Sequence, residues 1–268
     1  MKMVKTQSDP QSDPVPASSS GAAARMRIDR LLVERGLFES RARAQAALAA
    51  GLVRVDGVVV AKPSAEVAAD ARIEAADVHD FVSRGALKLT AGLDAFGIDP
   101  AGKVALDVGA STGGFTEVLL RRGARKVYAV DVGRDQFHPR LAARPEVHLM
   151  EGTDIRALSR DAAPEPVDLV VVDVSFISLA LVLPAALAFA GKEAHLVALV
   201  KPQFEAGRAN VRKGVVRDAA VHEACCTRVE GEIAALGWRL LGRIASPIEG
   251  GDGNREFLVG AVRESGGL

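Results

Sequence analysis

Cysteine is nearly absent from this sequence of 268 residues: there are two, Cys225 and Cys226, side by side. Neighbouring cysteines in a helical pattern cannot close an ordinary disulfide, and no metal-ligand spacing surrounds them, which excludes a disulfide framework and a zinc site. They read as small buried side chains in a reducing compartment. Net charge is absent too, since 34 basic residues balance 34 acidic ones. Any nucleic-acid surface must therefore be a local patch. No apolar run is long enough for a membrane span either. The most apolar stretch, "SLALVLPAALAFA" from Ser178, falls short of the roughly 20 residues needed and contains Pro184. The N-terminal "MKMVKTQSDPQSDPVPASSSGAAAR" has no signal-peptide core, and its Ser, Pro and Ala content predicts a disordered tail over residues 1–25. A soluble, cytoplasmic protein without membrane association is expected.

What is present begins after the tail. Ile28, Leu31, Leu32 and Leu37 form a helical stripe that Gly36 is placed to stop. Ser40 can cap a second helix, in which Ala44, Ala47 and Leu48 recur until Gly51 ends it. Val53 and Val55, the Asp56-Gly57 pair and Val58 to Val60 predict a β-hairpin, and "ARIEA" a further short strand. The bases Arg25, Arg27, Arg30, Arg35, Arg41, Arg43, Arg54 and Lys62 outnumber the acids Asp29, Glu34, Glu39 and Asp56 by four. Such an excess suits phosphate contact, although a solvated helix face shows the same charge. The order of elements, with an Arg-rich second helix and a Val-Asp-Gly hairpin, resembles the small S4-like RNA-binding domain. That resemblance implies an α+β module over residues 26–78 and RNA contacts from Arg27, Arg30, Arg41, Arg43 and Arg54.

Residues 79–84 read as a linker, and residues 85–268 as a second domain. Ser83 can cap a helix carrying Leu87, Leu89, Leu93 and Phe96. Beyond it come the strand candidates "KVALDV", "KVYAVDV", "VHLM", "VDLVVVDV", "AHLVALV", "WRLLGRIAS" and "EFLVGAVR", the first five separated by helical segments. Apolar strands alternating with helices predict a parallel sheet covered on both faces. The last two strands follow each other closely, which makes them antiparallel neighbours. Six parallel strands and one reversed make the α/β, Rossmann-like sheet of the class I methyltransferases.

The loop in "LDVGASTGGFTEVLL" has no lysine for a P-loop and the wrong glycine spacing for a dinucleotide fingerprint. Three acids remain at successive strand ends. Asp107 closes the first strand; Asp131 follows the second, where it can accept from a ribose diol; Asp154 follows the third, within reach of an adenine amino group. Each alone could be a turn former. Together they suit a cationic nucleoside without phosphate, S-adenosylmethionine, held by Asp107, Gly109, Ala110, Ser111, Gly113, Gly114, Phe115, Asp131 and Asp154. Asp173 ends the fourth strand where substrate and cofactor should meet. The Val-Ser-Phe after it is not the Pro-Pro-aromatic segment typical of amino-group methylation, and neither cysteine suits carbon-five chemistry. Lys201 follows a very apolar strand. An amine there is placed to take a proton from a hydroxyl. Lys88 supplies a second amine, and Glu256, opening the last strand, can pair with it.

"SRGALKL", "DVGASTGGFTE", "VDVSFISL", "LVKPQFEAG" and "GNREFL", in this order behind the N-terminal module, resemble the TlyA family. Its members are named as hemolysins but act as ribosomal RNA 2′-O-methyltransferases, and they share a Lys-Asp-Lys-Glu tetrad with the wider FtsJ-like enzymes. The resemblance runs from about Arg27 to Arg263 and puts the tetrad on Lys88, Asp173, Lys201 and Glu256. It implies methyl transfer from S-adenosylmethionine to a cytidine 2′-hydroxyl of ribosomal RNA in ribosomal subunits, with Lys201 as base or oxyanion partner. Asp173 would hold Lys201 and the substrate, while Lys88 and Glu256 position the ribose. Ala86 departs from the family's usual second glycine. The segment "QFEAGRANVRKGVVRD" is expected to be a mobile RNA-clamping lid, with Arg208, Arg212 and Lys213 as contacts. No stable protein partner is evident. A membrane-active hemolysin and a non-catalytic RNA-binding module are the competing functions.

Overall fold

The computed structural model describes residues 5–6, 25–76, 80–250 and 253–264. Most of the expected tail, and the start of the expected linker, lie outside the described residues. The chain divides into two compact units, Met1–Asp80 and Phe81–Leu268.

The first unit contains β1 (Lys5–Thr6), β2 (Arg25–Arg27), α1 (Ile28–Glu34), α2 (Arg41–Ala49), β3 (Val53–Val55), β4 (Val58–Val59), β5 (Glu66–Ala68) and β6 (Ile73–Ala75). Strand β6 pairs antiparallel with β1 and β3, β3 with β4, and β2 with β5. Ser40 Oγ accepts from the Arg43 amide at 3.3 Å, the cap expected for α2. Asp56 and Gly57 both have positive φ, as a two-residue hairpin turn requires. Ile28, Leu31, Leu32, Ala44, Ala47, Leu48, Val53 and Ile73 close one core. Leu37 lies past the end of α1, half-buried, and Phe38 fills the core beside it.

The second unit runs α3 (Gly85–Phe96), β7 (Val104–Val108), α4 (Gly114–Arg121), β8 (Lys126–Val130), α5 (Pro139–Ala142), β9 (Val147–Met150), β10 (Val167–Val172), α6 (Leu179–Leu187), β11 (Ala190–Val200), α7 (Pro202–Glu205), α8 (Ala219–Ala235), β12 (Arg239–Ala245) and β13 (Phe257–Arg263). The strands form a seven-stranded sheet in the order β12-β13-β11-β10-β7-β8-β9. Strand β13 is antiparallel to both its neighbours, and the pairs from β11 through β9 are parallel. Each strand's apolar run is split by the pleat between two cores. Val104, Leu106, Val170, Val172, Leu196 and Ala198 face α6 and α8, while Ala105, Leu169, Val171, Val197 and Leu199 face α3 and α4. Burial on both faces explains why these strands read as unbroken apolar runs. The apolar segment from Ser178 becomes the short core helix α6, and both cysteines are buried on α8.

Candidate functional site

A parallel sheet delivers the loops after its strands to one edge, where ligands bind in folds of this kind. A cavity of 540 Å³ opens there, lined by Gly109, Ser111, Asp131, Gly133, Gln136, Thr153, Asp154, Arg156, Asp173 and Phe176 among others. Gly109 has φ +87°, and a Cβ on it would lie 2.2 Å from the Asp173 carbonyl oxygen, so only glycine lets the loops after β7 and β10 approach this closely. Asp131 is fixed from both sides: Ser111 N donates to Oδ2 at 2.8 Å and Gly133 N to Oδ1 at 2.6 Å.

The residues expected to hold the cofactor divide into two groups. Gly109, Ser111, Asp131 and Asp154 line the cavity. Asp107, Ala110, Gly114 and Phe115 are buried outside its lining, and Gly113, at φ +94°, is packed against Phe137 and Leu141. Asp154 caps the turn that follows it and is paired with Arg156 at 2.6 Å. The Arg156 hydrogen bonds hold its carboxyl below the usual range. Arg156 makes two hydrogen bonds to each of the Asp154 carboxylate oxygens.

Asp107 is fully buried and accepts from Thr116 Oγ1 at 2.6 Å, while its Oδ1 has no partner among the described residues. Burial pushes its carboxyl up to about 7; the Thr116 bond opposes this, and the Asp173 charge adds to it. Between its ordinary value near 4 and about 7, the folded chain keeps a proton that the unfolded chain has lost, so stability falls as pH rises through that window. The expected loss is at most about 1.4 kcal/mol per pH unit. Asp107→Asn should abolish this slope, as read from urea midpoints between pH 4.5 and 8.

The tetrad positions meet at the same edge. The β11–β13 register pairs Val200 with Phe257, and one step further it sets Lys201 opposite Glu256. Asp173 follows β10, the neighbour of β11, and its amide donates to the Val108 carbonyl at 2.9 Å. Two ion pairs result. Lys201 Nζ lies 2.6 Å from Asp173 Oδ1 and donates to Ser175 Oγ at 2.9 Å. Lys88 Nζ donates to Glu256 Oε2 at 2.5 Å, with side-chain exposures of 8% and 2%. The sequence sets Lys88 among apolar neighbours, and the structure buries it on α3 together with Ala86, Leu89, Gly92 and Leu93.

Sequence reasoning missed Phe176. It has φ +66°, rare for a bulky residue, is 90% exposed at the cavity mouth, and lies 5.1 Å from Phe204 by ring centroids. Glu205, nearly fully buried, holds this arrangement: it accepts from Ser178 Oγ and Leu179 N, both at 2.7 Å, and from Arg228 at 2.7 Å. An aromatic residue three positions after the strand-end acid was the available signal.

The FtsJ-like methyltransferase family model matches residues 81–263, and the S4 domain model matches residues 26–73. The chain is 45% identical over 240 residues to the 16S/23S rRNA (cytidine-2′-O)-methyltransferase TlyA of Mycobacterium tuberculosis, covering 88% of this chain and 90% of that one. The chain belongs to the TlyA family of FtsJ-like methyltransferases. Hemolysin A of Brachyspira hyodysenteriae is another relative, 37% identical across 87% of this chain and 98% of its own. A solved hemolysin-named structure from Streptococcus thermophilus superposes with a TM-score of 0.72 at 38% identity, covering 91% of this chain and 90% of that one. The family thus carries two kinds of name on one architecture. Among the described residues, no helix is long and apolar enough to cross a membrane.

The basic side chains expected on the S4 unit are mostly engaged. Arg27 and Arg41 both reach Asp29, at 3.0 and 2.7 Å, and their bonds hold that buried carboxyl well below the usual range. Arg30 pairs with Glu34, Arg43 with Glu39, and Arg54 donates to the Gly57 carbonyl. In the second unit Arg208, Arg212, Lys213 and Arg217 are exposed. No acid pairs with any of these four among the described residues.

Proposed function

We propose that the chain transfers a methyl group from S-adenosylmethionine to the 2′-hydroxyl of a cytidine in ribosomal RNA. The observation that carries this is the pair of ion pairs at the sheet edge, Lys201–Asp173 and Lys88–Glu256, with Asp173 lining a cavity whose acids suit a nucleoside. The activity for which the Mycobacterium tuberculosis relative is named supports it.

The cavity fits the cofactor. Asp131 is pre-oriented by two backbone amides to accept from a ribose diol, and Asp154, tied to Arg156, lines the same cavity. The side-chain-free Gly109 lets the loops after β7 and β10, which both line the cavity, close against each other. Bound there, S-adenosylmethionine supplies an electrophilic methyl group on a sulfonium.

The chain's own residues do the rest. Lys201 Nζ, after giving up a proton to solvent, takes the proton of the 2′-hydroxyl as the O–H bond breaks, which restores the ammonium that Asp173 pairs with. Ser175 Oγ fixes the direction of that amine. Lys88 and Glu256, buried and mutually neutralised, orient the neighbouring ribose oxygens. Phe176 offers an open ring face, backed by Phe204, on which an unstacked base can lie. Arg208, Arg212 and Lys213, with the arginines of the S4 unit other than the Asp29-bound Arg27 and Arg41, contact the RNA backbone.

Incubation of the full chain with ribosomal subunits and methyl-labelled S-adenosylmethionine should put label on 2′-O-methylcytidine. Label on a base instead would refute hydroxyl chemistry. Phe176→Ala should reduce kcat/KM for subunits by roughly 5- to 150-fold, the worth of one stacked base. Its S-adenosylmethionine affinity should stay within about twofold, since Phe176 lines the cavity only at its mouth.

A further inference from the structure

Asn254 is 3% exposed and lies two residues before Glu256. Its side-chain amide serves a segment far away in sequence: Nδ2 donates to the Gly214 carbonyl at 2.9 Å, and Oδ1 accepts from the Val216 amide at 3.3 Å. One side chain thereby meets the backbone of residues 214–216 as a neighbouring strand's peptide group would. Val216 is 2% exposed, and its carbonyl also accepts from His222 Nε2 of α8 at 3.0 Å. A carbonyl only accepts, so this bond fixes the proton on that nitrogen. The Asn254 backbone is tied in turn, its carbonyl accepting from Gly250 N at 2.8 Å. Gly250 also abuts the carboxylate of Glu256: a Cβ there would lie 2.0 Å from Oε1.

The segment that Asn254 holds is a tight turn. Arg212 and Val215 exchange both backbone hydrogen bonds at 3.0 Å, with Lys213 at φ 51° and Gly214 at φ 79° between them. Such a turn carries two exposed cations, Arg212 and Lys213, on a backbone with little freedom. The expected lid therefore has a fixed return leg, fastened beside the Lys88–Glu256 pair.

We infer that Asn254 is a positioning residue that sets the register between this basic turn, as a clamp on an RNA phosphate near the target nucleotide, and the Lys88–Glu256 pair that orients its ribose. The inference rests on the proposed ribose methylation. A phosphate held by Arg212 and Lys213 lies at a fixed distance from the reacting ribose only while the Gly214 and Val216 bonds persist. Asn254 is buried and outside the cavity lining, so it acts through the turn it holds.

Four full-length forms test it on ribosomal subunits: wild type, Asn254→Ala, Arg212→Ala with Lys213→Ala, and the triple variant. Asn254→Gln, which keeps both ends of the amide but is one methylene longer, gives a second probe should the alanine form fail to fold. Expected are a KM for subunits raised about tenfold in each Asn254 variant, a weaker salt dependence of binding, and S-adenosylmethionine affinity unchanged by calorimetry. In the triple variant, removing Asn254 should add almost nothing to the loss from the two cations, because it acts through them. Fully additive losses, or a wild-type KM in folded Asn254→Ala and Asn254→Gln, would overturn the inference while leaving ribose methylation intact. Wild-type protein that fails to methylate any subunit would instead remove the reading beneath it.

Discussion

Lys201→Ala should lower methyl transfer to ribosomal RNA by about 10²- to 10⁴-fold, the usual worth of a positioned proton acceptor. S-adenosylmethionine binding should remain within about twofold, because Lys201 is not among the cavity-lining residues. The loss should fall on kcat, since the amine acts on the hydroxyl as it reacts. Lys201→Arg should not rescue it: a guanidinium stays protonated at any usable pH and cannot take a proton. Single-turnover rates with saturating subunits, alongside calorimetry of cofactor binding, check both halves. A variant that keeps more than a tenth of the wild-type rate would move the proton acceptor elsewhere.

Lys88→Ala should act twice. Glu256 is left as a carboxylate with 2% side-chain exposure and no cation, which costs about 3–5 kcal/mol. At about 2–4 °C per kcal/mol for a unit of this size, the melting temperature should fall by roughly 6–20 °C. Activity should disappear with it. Combining Lys88→Met with Glu256→Gln separates the two effects, because a buried neutral pair lacks the isolated charge. That double variant should recover most of the melting temperature and none of the methyl transfer. Recovery of activity alongside stability would show that the pair is a structural support with no part in orienting the ribose.

The N-terminal unit was legible almost residue by residue. Ser40, Gly36, Gly51 and the Asp56-Gly57 turn act within a few positions of themselves, so spacing alone reveals them. The strands of the large sheet were legible because burial on both faces leaves unbroken apolar runs. Asp154 shows where that kind of reading thins: a strand-end acid suits an adenine amino group or a turn cap, and here Arg156, two residues on, claims it for the cap. The arginines of the S4 unit show the same limit. A local charge excess counts residues, whereas Asp29, buried under Arg27 and Arg41, spends two of them internally.

The sequence by itself determined which chemical groups the chain brings, because the family's motifs occur in order and the strand-end acids and lysines stand where chain reversals place them. Only the tertiary structure decided how they pair. Lys88 and Glu256 are 168 residues apart, and their contact exists because β13 runs against β11 while α3 packs across the sheet. The turn of Phe176 into solvent and the grip of Asn254 on Gly214 and Val216 are likewise set by neighbours remote in the chain. Local spacing records what a residue can do with the next turn of backbone. What it meets across a sheet edge depends on register, which is fixed only when all the strands have packed.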